Sequence, residues 1–415
     1  MMKPLTASTT VFLTVSLVSL NAFGQSQRDG SDVTPWNVNY ASVDDNRSSP
    51  GILDSPFGPL ELGGWLSAGA TVNAGGNRSR NGNAPLSFNN VSDVPVMNQM
   101  WVYLEKPLDM QRNTIDWGAR IDYVFGADGP DVQASGDQGW DHNWNSSRDY
   151  GSAIPQLYGE LGICDATFRA GYAFGLLGFE AAQAIDNFFY SHNYAFSYGL
   201  PGTHSGVAMD YDVSDTIQIN AAWTTGWDSS WSNYLNASMF SGGLSWNCSD
   251  NTSLTYHATA GDFGDGTAKN GAMSNSGDLY SHAIVLTCDI TDRTTFVVEN
   301  TLGSNTVSGM QNNQWYSLSN YLFHQIDECW SAGARLDWFR DDDGQRVNVN
   351  GSGAGSFYAA TVGLNWQPCP TVRIRPELRY DWFNGQGRPF DNRDGGMTGT
   401  ATSQFTAGLD VILVF

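Results

Sequence analysis

The chain has 415 residues, with 42 acidic against 20 basic side chains and a formal charge of −22. That balance excludes nucleic acid as a partner and predicts attraction of cations to the surface. Only 15% of residues are charged while 13% are aromatic, with 46 Gly and 15 Trp, and the mean hydropathy of −0.31 suits an all-β chain whose wet face offsets a lipid-facing one.

The N-terminus begins with basic Met1-Met2-Lys3, continues as an apolar and hydroxyl run from Ala7 to Leu20, and reaches small residues at Asn21-Ala22-Phe23-Gly24. This is the layout of a signal peptide over 1–24; the apolar run is shorter than the roughly 20 residues a spanning helix needs. Residues 25–61, with Pro35, Pro50, Pro56 and Pro59, lack a clear period and read as an N-terminal periplasmic extension. No later segment resembles a spanning helix, so a membrane location requires a closed barrel, here expected over 62–415.

From there the sequence alternates between apolar and polar or small residues, as a strand with one face to lipid and one to water must. Val372, Ile374, Pro376, Leu378, Tyr380 and Trp382 share one face, and Arg373, Arg375, Glu377, Arg379 and Asp381 the other. A globular core would reject that second face; a wet lumen accepts it. The same pattern predicts strands at 62–74, 97–106, 115–125, 155–163, 166–174, 203–212, 216–226, 237–247, 252–263, 278–288, 294–304, 314–325, 329–340, 356–366, 372–383 and 403–415. Short turns and long Gly/Asn/Ser/Asp-rich connections alternate between them. The expected fold is therefore an all-β, transmembrane up-and-down antiparallel β-barrel of about 16 strands (14–18), with short periplasmic turns and long external loops.

The last strand stops at Phe415. In this it resembles outer-membrane barrels, whose terminal aromatic is read by the barrel-assembly machinery. Gly178-Phe-Glu-Ala-Ala, Asn187-Phe-Phe-Tyr-Ser-His192 and Tyr198-Gly-Leu-Pro-Gly-Thr-His-Ser-Gly206 resemble the OmpL-like bacterial outer-membrane β-barrel porin family. The resemblance implies a pore in the bacterial outer membrane and leaves the solute open.

That stretch is also the oddest connection. Residues 175–202 are rich in Leu, Phe, Tyr and Ala where a solvated loop should be polar, so the segment needs a surface to pack against. The expectation is that it folds into the barrel, with Glu180, Asp186, Ser191 and His192 at a constriction; the alternative is packing on neighbouring loops or another subunit. Inward-facing Arg120, Arg169, Arg335, Arg373, Arg375 and Arg379, with Glu377, would form the opposing wall and set selectivity through their field. Alternatively, these arginines pair with Asp116, Asp122, Asp337, Glu377 and Asp381 and stiffen the wall.

Cys164, Cys248, Cys288, Cys329 and Cys369 are separated by 84, 40, 41 and 40 residues, a hairpin-plus-loop period that places all five on the periplasmic rim. Adjacent rim turns two strands apart would be about 12 Å from one another, beyond disulfide reach. A cross-link to an envelope partner or second subunit is one reading; small turn residues of no special role is the other. Acidic Asp341-Asp-Asp343-Gly344 and the Asp128 to Asp149 region match no twelve-residue calcium loop, and no metal or cofactor is expected.

The function expected is a porin passing small hydrophilic solutes or ions, in contact with outer-membrane lipid and open to homo-oligomerisation. The alternative is a barrel with an enzymatic (lipase- or protease-like), structural or adhesive role. Ser191-His192 and His204-Ser205 are poor dyads, because neighbours on an extended chain point to opposite faces.

Overall fold

The computed structural model describes residues 51–415 apart from 56–57, 75–81, 111–112, 135–139, 142, 147–148, 231–237, 263–276, 307–311 and 392–398. The expected signal peptide and most of the expected N-terminal extension lie outside the described residues.

The strands are β1 (Gly51–Ser55), β2 (Gly58–Asn73), β3 (Val96–Lys106), β4 (Ile115–Gly126), β5 (Gly151–Ile163), β6 (Ala166–Phe174), β7 (Thr203–Ser214), β8 (Ile217–Thr224) and β9 (Ser238–Ser249). They continue as β10 (Thr252–Asp262), β11 (Asp278–Thr291), β12 (Thr294–Asn305), β13 (Asn313–Gln325), β14 (Trp330–Asp341), β15 (Gly355–Cys369), β16 (Val372–Gly385) and β17 (Ser403–Val414). From β2 onward each strand pairs antiparallel with the next, and β17 returns to β2 with Val414 opposite Trp65. Sixteen strands thus close on themselves. The closure ends at the chain terminus: Phe415 and Gly64 exchange backbone hydrogen bonds of 2.9 Å in both directions. A barrel closed in this way leaves no unpaired edge to lipid.

Several boundaries differ from the sequence reading by up to four residues: β2 starts at Gly58 rather than at 62, and β5 at Gly151 rather than at 155. β1, absent from the expected strands, folds back onto β2 with Leu53 opposite Leu60. β1 has five residues, too few for a period to show.

Alternation sorts the side chains. On β16, Leu378 and Tyr380 are 48% and 45% exposed on the outer surface, whereas Arg375 and Arg379 are 2% and 1% exposed inside. Outward aromatics mark both ends of the barrel: Trp330 stacks on Trp366 at 5.6 Å near the short turns, and Tyr358 on Trp382 at 5.1 Å near the long loops. Such girdles sit where a barrel meets the two membrane interfaces.

All five cysteines are free and lie at or beside short turns. The two-strand spacing holds for Cys248 on β9 and Cys288 on β11, with β10 between. It does not hold for Cys329 and Cys369: the Cys329 carbonyl accepts from Gln367 N at 2.8 Å, so this pair sits on adjacent strands.

Candidate pore-constriction site

The segment between β6 and β7, here called L3, is pinched at its neck by Gly175 N donating to Gly202 O at 2.9 Å. It contains two short helical turns, Ala184–Asp186 and Ala195–Gly199. Its apolar side chains meet inward-facing apolar side chains of the barrel. Phe179, Phe188 and Phe189 cluster with Val285, Val297, Tyr321 and Phe323 of β11–β13. Ala182 and Ala184 join Trp65, Trp101 and Ile412, and Tyr194 and Tyr198 join Trp315, Phe339, Phe357 and Phe383. Burial of this kind, roughly 25 cal/mol per Å², explains why the loop is rich in aromatics.

Glycines on the strands make room for it. A Cβ on Gly333 of β14 would lie 2.4 Å from the Phe188 ring, one on Gly363 of β15 3.3 Å from Phe189, and one on Gly408 of β17 3.0 Å from Tyr190. Three successive L3 aromatics therefore sit over three glycines. The sequence reading missed these positions, since a glycine on a lumen face looks like any small residue until its register against L3 is known.

Arginines fasten the same loop. Arg335 (β14) donates to Glu180 Oε1 and to Ser191 O, both at 2.7 Å, and to Asp337 Oδ2 at 2.9 Å. Arg375 (β16) donates to three L3 carbonyls, those of Ala184, Asn187 and Phe189, at 2.9, 2.7 and 3.0 Å, while Asp410 of β17 holds its other nitrogens at 2.7 and 2.9 Å. Arg379 donates to His192 O at 2.6 Å and pairs with Asp381, and Arg373 donates to Ile185 O at 2.9 Å. Glu377 accepts from Ser191 N at 3.1 Å. Glu180 also accepts from Tyr321 Oη and from Asn193 N. Apart from half-buried Arg373, these guanidinium and carboxylate groups are buried, where a charge is tolerated only when paired and hydrogen-bonded. The arginines thus reach L3 directly rather than face it across open space. Several also have acidic neighbours on the strands, as the pairing alternative expected, although Arg375 takes Asp410 rather than Glu377.

Arg120 and Arg169 stand apart from L3. Arg120 (β4) pairs with Glu105 at 2.8 Å and Asp122 at 2.7 Å and stacks over Tyr103; Arg169 (β6) pairs with Glu160 at 2.6 Å and stacks over Tyr158. Asp186 is half-buried in the first helical turn of L3. The loop between β4 and β5 contributes Asp128, which accepts from Asn98 Nδ2 and Gln99 Nε2; burial, reinforced by the charge of Asp131, pushes its carboxyl up to about 7. In the acidic loops, Asp341 accepts from the backbone of Gln345, Arg346 and Val347 and so shapes its own loop. No group of three metal-ligating side chains occurs among the described residues.

A closed sixteen-strand barrel with an inward-packed third long loop is the geometry of a pore scaffold, and a family model decides the matter. The model described as "Putative beta-barrel porin-2, OmpL-like" matches residues 59–415. The chain belongs to this family. This porin is accordingly a passive diffusion channel of the bacterial outer membrane and not an enzyme. The outer-membrane channel DcaP of Acinetobacter baumannii shares its fold with a TM-score of 0.59 at 13% identity, over 88% of this chain and 99% of that one. OmpT of Vibrio cholerae gives 0.55 at 11% over 88% and 99%, and an anion-selective porin of Comamonas acidovorans 0.59 at 8% over 86% and 99%. No curated protein matches the porin's sequence.

Proposed function

We propose that this porin conducts along the wall formed by β3–β8, with cations preferred, while L3 fills the opposite side and sets the constriction. The observation that carries this reading is the contrast in exposure between the two sets of charged side chains. The side chains of Arg335, Arg375 and Arg379 are 0–2% exposed beneath L3, whereas Arg120, Glu105 and Arg169 are 20%, 21% and 29% exposed across from it. An arginine wholly engaged by a loop anchors that loop; an accessible charged pair is what a passing solute meets. Glu180, Ser191, His192, Arg373 and Glu377 then position L3, and Asp186 is its partly exposed carboxylate at the passage.

The sign follows from the accessible wall. On β3–β8 the accessible lumen side carries Glu105, Asp116, Glu160, Asp210 and Asp212 against Arg120 and Arg169. Like-signed residues lining a low-dielectric channel concentrate counter-ions. The anion selectivity named for the Comamonas acidovorans porin belongs to that protein, and at 8% identity only the fold is shared. The test is the zero-current potential in a KCl gradient, wild type against a Glu105→Gln/Glu160→Gln variant. The potential should have the cation-selective sign and shrink in the variant; an anion-selective sign in the wild type would overturn the reading.

Three partner roles belong to the same proposal. Phe415, whose backbone seals the barrel against Gly64, is the residue offered to the assembly machinery. The rim cysteines are open to disulfide exchange with an envelope partner. The porin forms homo-oligomers, as supported by the trimer form in which OmpT of Vibrio cholerae is known.

A further inference from the structure

The outer surface of the barrel is apolar at mid-span nearly all the way round. Leu336, Val362, Leu378, Leu409, Phe168 and Ile219 each expose more than a third of their area there. One sector breaks the rule. Asn300 lies midway along the outward face of β12, between Phe296 and Ser304, and Asn320 lies midway along that of β13, between Tyr316 and His324. Both side chains are half-buried on the side facing away from the lumen, because their neighbours Glu299, Thr301, Ser319 and Tyr321 are the buried, inward ones. They are ringed by hydrocarbon: Asn300 is opposite Ile284 and Leu318, and Asn320 opposite Val298 and Leu336.

Beside them His282 of β11 shares a 3.0 Å hydrogen bond with Tyr280 Oη, which in turn meets Tyr256 Oη at 3.2 Å. Asn300 spends one N–H on Ser317 O at 2.9 Å. The Asn320 side chain makes no hydrogen bond to a described residue. Acyl chains offer neither donors nor acceptors, so polar groups at this depth are sustained only by protein or trapped water.

We propose that the β10–β13 sector, centred on Asn300 and Asn320, is the surface through which one copy of this porin meets another. A carboxamide carries both donors and acceptors, so the patch can pair with the same chemistry on a second copy, and a symmetric homo-oligomer brings that chemistry to its axis. A lipid contact would leave the Asn320 amide, and the remaining donor and acceptor of Asn300, unpaired. This inference rests on the homo-oligomeric reading above and says which face carries it.

The experiment uses full-length protein extracted from outer membranes in mild detergent. An Asn300→Leu/Asn320→Leu variant should remain a heat-modifiable folded barrel with an unchanged single-channel step, yet shift from oligomer to monomer on unheated gels and in sedimentation. A Val362→Ala/Leu378→Ala control on the far face should stay oligomeric. In a second arm, p-benzoylphenylalanine replaces Asn320 or, separately, Leu378 and is photolysed in membranes. Cross-linked porin dimers from position 320 and none from 378 are expected. A monomeric wild type, an oligomer that survives the double substitution, equal cross-linking from both positions, none from 320, or cross-links only to a different protein would each overturn the proposal. Conductance is read separately, so loss of the pore reading would be seen apart from loss of the interface.

Discussion

Arg335 holds Glu180 at 2.7 Å across the junction between strand β14 and L3, with its guanidinium fully buried and Asp337 as its second carboxylate. A buried ion pair of this kind contributes little against a well-packed apolar substitute, but removing one member strands the other, at about 3–5 kcal/mol. Arg335→Ala should lower the urea midpoint of the folded barrel by that order and raise open-channel current noise as L3 loosens. A quiet channel with unchanged stability would show that the aromatic contacts alone hold the loop.

The glycine sockets make a separate prediction. With 2.4 Å available at Gly333, Gly333→Ala must push the Phe188 ring away. Overpacking of a filled site costs about 1–3 kcal/mol. Phe188→Leu in the same chain should return part of that stability, because the smaller side chain vacates the contested space. Thermal unfolding of the single and double variants reads the coupling; additive losses would mean that Phe188 does not sit on Gly333.

Asp128 links stability to pH. Its carboxyl binds a proton up to about pH 7 in the folded protein, against an ordinary value of 3.8 when exposed. Between those values the folded state holds more protons than the unfolded state, so stability falls as pH rises through the window and levels off above it. The midpoint of the heat-induced gel shift should therefore decline from pH 4 to pH 7, reflecting a loss of stability on the order of 3 kcal/mol or less. Asp128→Asn, which keeps an oxygen for Asn98 and Gln99, should flatten this part of the profile.

The rim cysteines report orientation. Cys164, Cys248 and Cys369 are exposed, Cys288 and Cys329 partly so, and short turns of such barrels face the periplasm. A large, impermeant maleimide should leave intact cells unlabelled and modify the exposed three once the outer membrane is opened. Labelling of intact cells would invert the assignment.

How much of this could be read from the sequence depended on which physical signal each feature leaves. Strands with strict alternation were legible almost to the residue: 166–174 is both the expected and the observed extent of β6. The tight Cys164-Asp165 turn after Ile163 fixes one end, and Gly175, at the neck of L3, the other. β1 was not legible, because Gly51–Ser55 is held by pairing to β2 rather than by a pattern of its own. The apolar character of L3 signalled that it packs on something. Its partners were not readable, since alternation tells which face Arg375 occupies but not that Ala184, Asn187 and Phe189 would present carbonyls there. The nearness of Cys329 to Cys369 was likewise hidden: counting turns puts them two strands apart, and only the placement of one just before β14 and the other at the end of β15 brings them to adjacent strands.

The most direct test is single-channel recording from refolded protein in a planar bilayer under a KCl gradient. Stable, stepwise currents with a cation-selective zero-current potential are the expected result. A heat-modifiable, correctly folded barrel that passes no current, or one that prefers anions, would contradict a passage along the acidic β3–β8 wall.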